Sequence, residues 1–383
     1  MHNQRHLFTL PHDLHYLNCA YMSPLLKSVE EAGQQGLLAK RNPASIAPAD
    51  FFSDTKEVKA LFAELVRGRA EQIVIIPSVA YGMANALNNC PGKINGHALI
   101  VADEFPSGYY ALERWAKEKN NHLNVIHAPA NAANRGQLWN EKIISSISTD
   151  TSVLVISHTH WVDGTLFNLK EIGHRCKETD TYLIVDGTQS VGALPFSVED
   201  FNIDALICAA YKWLMGPYAI GLAYYSNRFN NGKPIEESWA NRSNAENFRT
   251  LTQYTTDYFT GAARYNVGES SNFILLPMLK SALEQINDWQ PQAIQAYCQT
   301  LTRPLVSYLQ ENNCWLEQEA YRSNHLFGFK LPEAANEEKL LRELEARQVK
   351  ISVRGNSIRV SPHVYNTEAD IAALINTINF AMH

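Results

Sequence analysis

Two apolar runs of the chain each end in a side chain that can do chemistry. The run 205–210 leads into a loop that carries Lys212, and the run 182–185 ends in Asp186. Burial makes an ammonium group costly and lowers its pKa, so a buried lysine becomes a nucleophile for an aldehyde. Together with an aspartate that keeps a ring nitrogen protonated, it indicates a pyridoxal phosphate (PLP) site. The alternative is a surface lysine after a core strand, and an aspartate that caps a turn.

Composition places the chain among ordinary globular proteins. Of 383 residues, 45% are hydrophobic and 19% are charged, and the length is typical of two or three domains. The net charge of −6, without a basic run, argues against nucleic acid or an anionic membrane as a partner.

Cysteine usage and the start of the chain bear on its compartment. The six cysteines form no CxxC pair, and several lie in apolar runs, as reduced core thiols do. The segment 1–11 lacks the apolar region of a signal peptide, and no uncharged apolar stretch reaches the roughly 18 residues of a membrane span. We therefore expect a cytoplasmic protein without membrane partners.

Short apolar runs alternate with amphipathic segments through the first two thirds of the chain. Several runs are continuous, which is typical of strands buried on both faces of a sheet. The alternation predicts an α/β fold with a mostly parallel sheet wrapped by helices, and ligands of such sheets bind at the carboxyl ends of the strands. The predicted strands are 72–76, 98–102, 123–127, 152–157, 181–185, 204–209 and 221–225, and predicted helices include 109–119 and 169–178.

The pattern changes after about Arg264, where a smaller α+β unit begins. Before it, the polar, asparagine-rich stretch 227–260 is interpreted as a long excursion, with a subunit contact as one role for it. The predicted elements of the C-terminal part are helices at 278–289, 291–309 and 337–348 and from 368, and strands at 325–331 and on both sides of 354–356.

A series of short motifs carries a family resemblance over nearly the whole chain. The motifs are Tyr16–Ala20, Ile76–Gly82, Val101–Pro106, Ser157–Thr165, Val185–Ser190, Ala209–Trp213 and Ser357–Asn366. In this order they resemble the class V aminotransferase-like PLP enzymes of fold type I, which include cysteine desulfurases, kynureninases and isopenicillin-N-epimerase-like proteins. The resemblance implies a seven-stranded, mostly parallel sheet in a large PLP-binding domain (20–265), a small α+β C-terminal domain (266–383) and an N-terminal segment (1–19) that packs with the small domain.

The resemblance implies the contacts to the reactive part of the cofactor. Lys212 would hold the cofactor covalently and then move the substrate α-proton as general base and acid. Asp186 would pair with the ring nitrogen, and beside that cation we expect its pKa to stay low. Gln189 would donate to the phenolic oxygen.

The resemblance also implies the contacts to the phosphate and to the ring face. Backbone N–H groups at the helix start formed by Ser78, Val79 and Ala80 would bind the phosphate, although Ser78 could simply cap the helix. The family's hydroxyl residues are replaced at Val79 and Ala80, so these two would bind through the backbone alone. By the same resemblance the Tyr211 hydroxyl would also bind the phosphate, and Phe105 would stack on the ring or serve as core.

Three residues are implied at the substrate. Arg359 would bind the α-carboxylate through two parallel hydrogen bonds. Trp161 replaces an asparagine of the desulfurases and favours a bulky or aromatic substrate. Asn18, in the first motif, is the third residue expected to contact the substrate. Arg354 is interpreted as a solvated turn charge, with a second substrate contact as the alternative.

The histidine pair of the third motif does not indicate a metal. No cysteine or acid at zinc-like spacing accompanies His158 and His160, so no metal is expected. A structural His158 is favoured over a general base. Asp163 could orient the cofactor region.

The resemblance implies a homodimer with active sites at the interface. Two segments, one with Trp239 and Arg242 and one with Arg264 and Glu269, resemble segments that approach the neighbouring site in the family. Glu269 stands where the family has threonine, which leaves that role open.

Several function classes follow from these residues. An aminotransferase acting on an α-amino acid is placed first, with a kynureninase-like or other C–X lyase second and an epimerase third. The hairpin 348–359 lacks the cysteine of the desulfurases, so persulfide chemistry by the usual route is not expected. No GxGxxG run supports a nicotinamide-dependent dehydrogenase. A non-catalytic relative remains open, because hydroxyls near the phosphate are lost.

Overall fold

The computed structural model describes residues 1–130, 133–333 and 335–382. Its strands are β1 His15–Tyr16, β2 Ile73–Ile76, β3 His97–Val101, β4 His122–Ile126, β5 Thr151–Ser157, β6 Tyr182–Asp186, β7 Ala205–Ala209, β8 Gly221–Tyr225, β9 Trp315–Leu316, β10 Phe327–Lys330, β11 Val349–Lys350, β12 Ser352–Arg354 and β13 Ser357–Val360. Its α-helices are α1 Lys27–Ala39, α2 Ser53–Val66, α3 Val79–Asn88, α4 Pro106–Glu118, α5 Arg135–Ser146, α6 Leu169–Glu178, α7 Leu275–Trp289, α8 Pro291–Glu311, α9 Glu337–Ala346 and α10 Glu368–Met382.

The predicted seven-stranded sheet is confirmed. Its order is β2-β8-β7-β6-β5-β3-β4, and β8 runs antiparallel to both of its neighbours while the other strands are parallel to one another. The carboxyl ends of the parallel strands and the start of β8 therefore meet at one edge of the sheet.

Burial on both faces explains why these strands read as continuous apolar runs. In β5, Leu154 and Ile156 belong to the apolar cluster on one face, and Val153 and Val155 to the cluster on the other. Side chains alternate between the faces of a strand, so only an unbroken apolar run can fill both layers.

A second sheet of order β12-β13-β10-β9, with helices α8 to α10, forms the predicted C-terminal α+β part. Its own apolar core takes in Leu17 from the N-terminal segment. The same segment pairs β1 with β11 in parallel, and Asn3 donates to the Asn366 carbonyl at 2.7 Å.

The stretch 227–260 contains only 3-10 turns as helices and joins no named strand. Trp239 packs edge-on against Phe51, Phe52 and Phe248. Within the described ranges, no helix is both long and apolar enough to cross a membrane.

Candidate active site

A cavity of about 350 Å³ lies at the sheet edge where the parallel strands end. Residues just beyond β2, β3, β5, β6 and β7, together with the turn before β8, form its wall, as expected for a parallel sheet. The predicted site residues on this wall are Ser78, Val79, Ala80, Phe105, Trp161, Asp186, Gln189, Tyr211 and Lys212.

Lys212 is held by a tight turn after β7. The Met215 N–H donates to the Lys212 carbonyl at 3.1 Å, and the Gly216 N–H donates back to Ala210 at 2.9 Å. The side chain is only 7% exposed, and burial lowers the pKa of Lys212 to about 8, although the Asp186 charge raises it. The predicted buried lysine with a lowered pKa is therefore present.

Asp186 is the last residue of β6 and lies on the same cavity. One carboxylate oxygen accepts a hydrogen bond from the Thr188 N–H at 2.9 Å. Burial raises the pKa of Asp186, while hydrogen bonds from Thr188 and the Lys212 charge lower it. No described cationic side chain lies within 4.0 Å of the carboxylate, and the low pKa predicted for Asp186 beside the ring nitrogen of the cofactor stays a prediction.

The start of α3 faces the cavity with backbone N–H groups. The Ser78 hydroxyl accepts from the Tyr81 N–H at 3.2 Å, so it does cap the helix. A Cβ at Gly82 would lie 2.8 Å from Ile207 and 2.9 Å from Ile76, so only glycine lets α3 pack this close to the sheet. That packing keeps the α3 N-terminus, an anion-binding element, at the cavity edge.

Phe105 and Trp161 form an aromatic wall opposite the sheet end. Their rings meet edge to face with centroids 5.5 Å apart, and the Lys212 Nζ lies 5.6 Å from the centre of the Phe105 ring. The Trp161 indole N–H donates to the Asp103 carbonyl at 2.6 Å, which fixes the orientation of the indole.

Gln189 and Tyr211 line the cavity, and the side-chain amide of Gln189 already makes two hydrogen bonds within the protein. The Gln189 amide donates to the Ala20 carbonyl at 3.1 Å and accepts from the Trp213 indole at 2.9 Å, which leaves one amide N–H for a ligand. The Tyr211 ring packs on the Tyr218 ring with centroids 4.6 Å apart.

Arg359 and Asn18 lie beside the cavity and are not part of its wall. The Arg359 guanidinium is 1% exposed and donates to the Trp161 carbonyl at 2.6 Å and to the Ser352 hydroxyl at 3.5 Å. The Asn18 side-chain oxygen accepts from the same Ser352 hydroxyl at 2.7 Å. Burial and the Arg354 charge lower the pKa of Arg359 to about 9.

Arg354 departs from the sequence-based expectation of a solvated turn charge. It is half-buried, and its guanidinium carbon lies 5.9 Å from the centre of the Trp161 ring. The hairpin pairs Arg354 with Ser357 and thereby turns its side chain to the same face as that of Arg359.

The histidines of the third motif lie behind the cavity. His158 packs between Phe196 and Phe201, and burial lowers its pKa to about 3, so it is neutral, as expected of a structural residue. His160 contacts Asp163, which in turn pairs with Arg135 at 2.7 Å. The described residues include no cluster of three side chains suited to a metal ion.

Glu104, Thr188 and Tyr218 also line the cavity but were not singled out from the sequence. The Glu104 carboxylate accepts from the Phe105 and Ser157 N–H groups, both at 2.8 Å, and so ties the end of β3 to the end of β5. Its place in the second motif, one residue before Phe105, was the available signal.

The residues considered for contact with a partner site lie away from this cavity. Arg242 pairs with Glu237 at 2.5 Å, and Arg264 donates to the Gly232 carbonyl at 2.9 Å. Trp239 is 41% exposed, and Glu269 is also exposed.

Comparisons with known proteins agree with this arrangement. The family model described as Aminotransferase class-V matches residues 40–374. An uncharacterized aminotransferase, YcbU, from Bacillus subtilis is 23% identical over 83% of this chain and 81% of its own length. A kynureninase from Bacillus mycoides is 20% identical over 91% of this chain and 81% of its own length.

Solved structures of similar fold include two of the protein C-DES. One has glycine covalently linked to its PLP cofactor and superposes with a TM-score of 0.86 at 18% identity, covering 98% of this chain and 99% of that one. The other is described as the cystine C–S lyase in complex with its product cysteine persulfide, with a TM-score of 0.84 at 18% identity over 97% and 98% of the two chains. At this level of identity the likeness shows the fold.

The ionisable side chains and the backbone N–H groups of the cavity also fit the cofactor of this family. A buried amine and a buried carboxylate lie on one wall without an ion pair between them, and a helix N-terminus supplies N–H groups for a phosphate. The family match spans all of these cavity residues. The chain therefore belongs to the class V aminotransferase family, whose cofactor is pyridoxal phosphate.

Proposed function

We propose that this chain is an aminotransferase that acts on an α-amino acid. The observation that carries the proposal is the shared cavity of Lys212 and Asp186, both buried and neither paired with an ion within 4.0 Å among the described residues. Such a pair suits a group that takes a covalent bond on one side and an ion pair on the other.

The cavity residues have distinct proposed roles toward the cofactor. Bound PLP supplies an electron sink for the electron pair left at Cα when a bond there breaks. Asp186 holds the ring nitrogen, Gln189 offers its free N–H to the phenolic oxygen, and Phe105 covers the ring face. The N–H groups of Val79 and Ala80 bind the phosphate, as the α3 N-terminus supports.

Further contacts complete the proposed cofactor site. Tyr211 adds a hydroxyl toward the phosphate, while Ser78 keeps its own hydroxyl for the helix cap. Lys212 takes the α-proton of the substrate and returns it. Its pKa of about 8 leaves part of its amine neutral near neutral pH, as a general base requires.

Arg359 is proposed to bind the α-carboxylate of the substrate. No described carboxylate lies within 4.0 Å of this buried guanidinium, and its Nε has no hydrogen-bond partner. Asn18 supports the site indirectly through Ser352. Arg359 is 1% exposed and donates to the Trp161 carbonyl, so a bound carboxylate would take the place of that carbonyl as its partner.

Thiol chemistry has little support in this chain. All six cysteines are free and buried. Cys19 is the cysteine whose thiolate would interact electrostatically with Lys212, and burial raises the pKa of its thiol to about 12. A thiol of this kind is not a nucleophile at neutral pH. The name of the Bacillus subtilis relative further favours aminotransferase chemistry.

A second candidate function is a PLP-dependent C–S or C–C lyase. Its support is the fold shared with the C–S lyase C-DES over nearly the whole chain and the match to a kynureninase. An amino-acid epimerase is the remaining alternative from the sequence.

The three reactions separate in one experiment. The PLP-loaded protein is mixed with a panel of single amino acids in the absence of an oxo-acid acceptor. We expect one equivalent of 2-oxo acid per site and lasting conversion of the cofactor to its amine form. Continuous release of ammonia or of a side-chain fragment would instead establish a lyase, and loss of optical activity alone an epimerase.

We also propose a cytoplasmic homodimer. Exposed aromatic and apolar side chains cluster around Trp239 and Phe248, beside Phe51 and Phe273, and a surface of this kind suits a subunit contact. The buried free thiols suit a reducing compartment. Sedimentation equilibrium should give twice the mass of the chain, and cell fractionation should place it in the soluble fraction.

A further inference from the structure

The β12–β13 hairpin carries two arginines on one face. Its register pairs Ser352 with Arg359 and Arg354 with Ser357. Directly opposed residues of an antiparallel pair share a face, as do residues two positions apart on one strand. The side chains of Arg354 and Arg359 therefore project from the hairpin in the same direction.

Trp161 connects both arginines to the cavity. Its carbonyl accepts from the Arg359 guanidinium at 2.6 Å, and its ring lies 5.9 Å from the guanidinium carbon of Arg354. Trp161 also lines the cavity that contains Lys212. The two positive groups therefore lie next to the place where the substrate reacts.

Neither arginine is neutralised by the part of the chain that the structure describes. Within the described ranges, no carboxylate lies within 4.0 Å of Arg354 or Arg359. Arg135, by contrast, is an enclosed arginine that is neutralised, since it contacts Asp163 at 2.7 Å and Glu317 at 3.2 Å. Placing two unpaired guanidinium groups side by side costs stability, unless a ligand with negative charges compensates.

Neither acid of the cavity, Glu104 or Asp186, pairs with these arginines among the described residues. Both oxygens of Glu104 accept backbone N–H groups, one from Phe105 and one from Ser157. Asp186 lies at the end of β6 and accepts from Thr188. Among the described residues, the guanidinium of Arg354 donates only to the carbonyl of the adjacent Val353, at 2.9 Å.

We propose that the substrate is an α-amino acid with a second acidic group on its side chain. Arg359 binds the α-carboxylate, and Arg354 binds the side-chain acid. Two negative charges then meet the two guanidinium groups on the hairpin face. This inference rests on the proposed function, because it assumes that an amino acid reacts at Lys212.

The position of Trp161 argues against the aromatic substrate that its residue type suggests. Its indole N–H is bound to the Asp103 carbonyl, its ring edge meets Phe105, and Arg354 lies over it. The indole is thus packed as a support for a guanidinium, and a cation near an aromatic face is favourable.

The test compares acidic amino acids with their neutral isosteres. Aspartate and asparagine, and glutamate and glutamine, are titrated into the PLP-loaded protein, and the cofactor absorbance gives the binding constant and kcat/KM for each. Arg354→Gln removes the charge, and Arg354→Lys keeps it. Arg342→Gln, which removes an exposed arginine paired with Glu338 on α9, is the matched control.

We expect the parent protein to prefer one acid over its amide by about 10- to 100-fold in kcat/KM, the size typical of a hydrogen bond to a charged group. Arg354→Gln should lose this preference mainly through KM, without slowing the neutral amino acids. Arg354→Lys should retain part of it, and Arg342→Gln all of it.

Two results would overturn the inference. Neutral amino acids that react as well as acidic ones would show the substrate class to be wrong while leaving PLP chemistry intact. An Arg354→Gln variant that slows acidic and neutral amino acids equally would show a merely structural arginine. A protein in which no amino acid changes the cofactor spectrum would instead remove the proposed function itself.

Discussion

Two cavities of the molecule are each lined by a lysine with a lowered pKa. Burial lowers the pKa of Lys212 and of Lys59 to about 8 in both cases. The cavity of Lys212 measures about 350 Å³ and that of Lys59 about 260 Å³. By pKa alone, the two amines are equally suited to act as nucleophiles.

Their surroundings differ. Lys212 lies at the sheet edge beside Asp186, an unpaired buried acid, and beside the α3 N-terminus. Lys59 lies on α2, and the acids of its cavity, Glu71 and Glu246, already pair with Arg69 and Lys56. The comparison teaches that burial alone supplies a reactive amine, whereas the proposed cofactor site also needs the free acid and the anion-binding N–H groups.

The largest expected effect is on turnover when the amines are removed one at a time. Lys212→Ala should lower kcat by about 1000-fold or more, because the proton transfers at Cα lose their base and acid. Lys59→Ala should keep a rate close to that of the parent. Steady-state kinetics of both variants checks this, and a parent-like rate for Lys212→Ala would refute its assignment.

The next effect concerns the acids. Asp186→Asn should lower kcat by about 100-fold, since it removes the charge that holds the ring nitrogen protonated. Glu71→Gln, in the cavity of Lys59, serves as the control and should leave kcat unchanged. Equal losses in the two variants would mean that general destabilisation, not ring chemistry, explains the result.

A smaller effect is expected at Arg359, the proposed ligand of the α-carboxylate beside the first cavity. Arg359→Lys should raise KM by about 10-fold with a lesser change in kcat, because a single ammonium cannot replace the planar guanidinium fork. Arg347→Lys, an exchange at an exposed pair with Glu343, is the matched control. An unchanged KM would place the α-carboxylate elsewhere.

The smallest effect is one that the two lysines should share. The folded-state pKa of about 8 lies below the usual 10.5, so the unfolded chain holds more protons between these values and stability rises with pH there. In the cofactor-free protein, Lys212→Met should reduce this pH-dependent gain in the free energy of unfolding by on the order of 1 kcal/mol. The figure is modest because the protein relaxes around the buried charge. Lys59→Met should act with the same sign.

Urea unfolding at pH 7.5 and at pH 10 measures that contribution. The parent protein should gain more stability over this interval than either methionine variant. A parent protein that gains no more than the variants would contradict the lowered pKa values.

Much of the sheet could be predicted because its strands are buried on both faces. The bounds of β8 are as predicted, and those of β3 and β4 differ by one residue at each end. Strand ends in a parallel sheet meet at one edge, so the motifs at Asp186 and Lys212 could be brought together from sequence order alone.

The details of the hairpin and of the charges could not be predicted. Arg354 looked like a turn residue, and only the β12–β13 register reveals that it shares a face with Arg359. The raised pKa of Asp186 depends on how deeply its strand end is enclosed, which a sequence pattern does not give. Long-range contacts such as that between Arg359 and the Trp161 carbonyl leave no local signal.

Covalent labelling tests most directly which amine holds the cofactor. The full-length protein is loaded with PLP, reduced with borohydride, digested and examined by mass spectrometry. We predict a stable phosphopyridoxyl adduct on the peptide that contains Lys212 and none on the peptide that contains Lys59. An adduct on Lys59, or no adduct at either lysine, would contradict the assignment of the cofactor site.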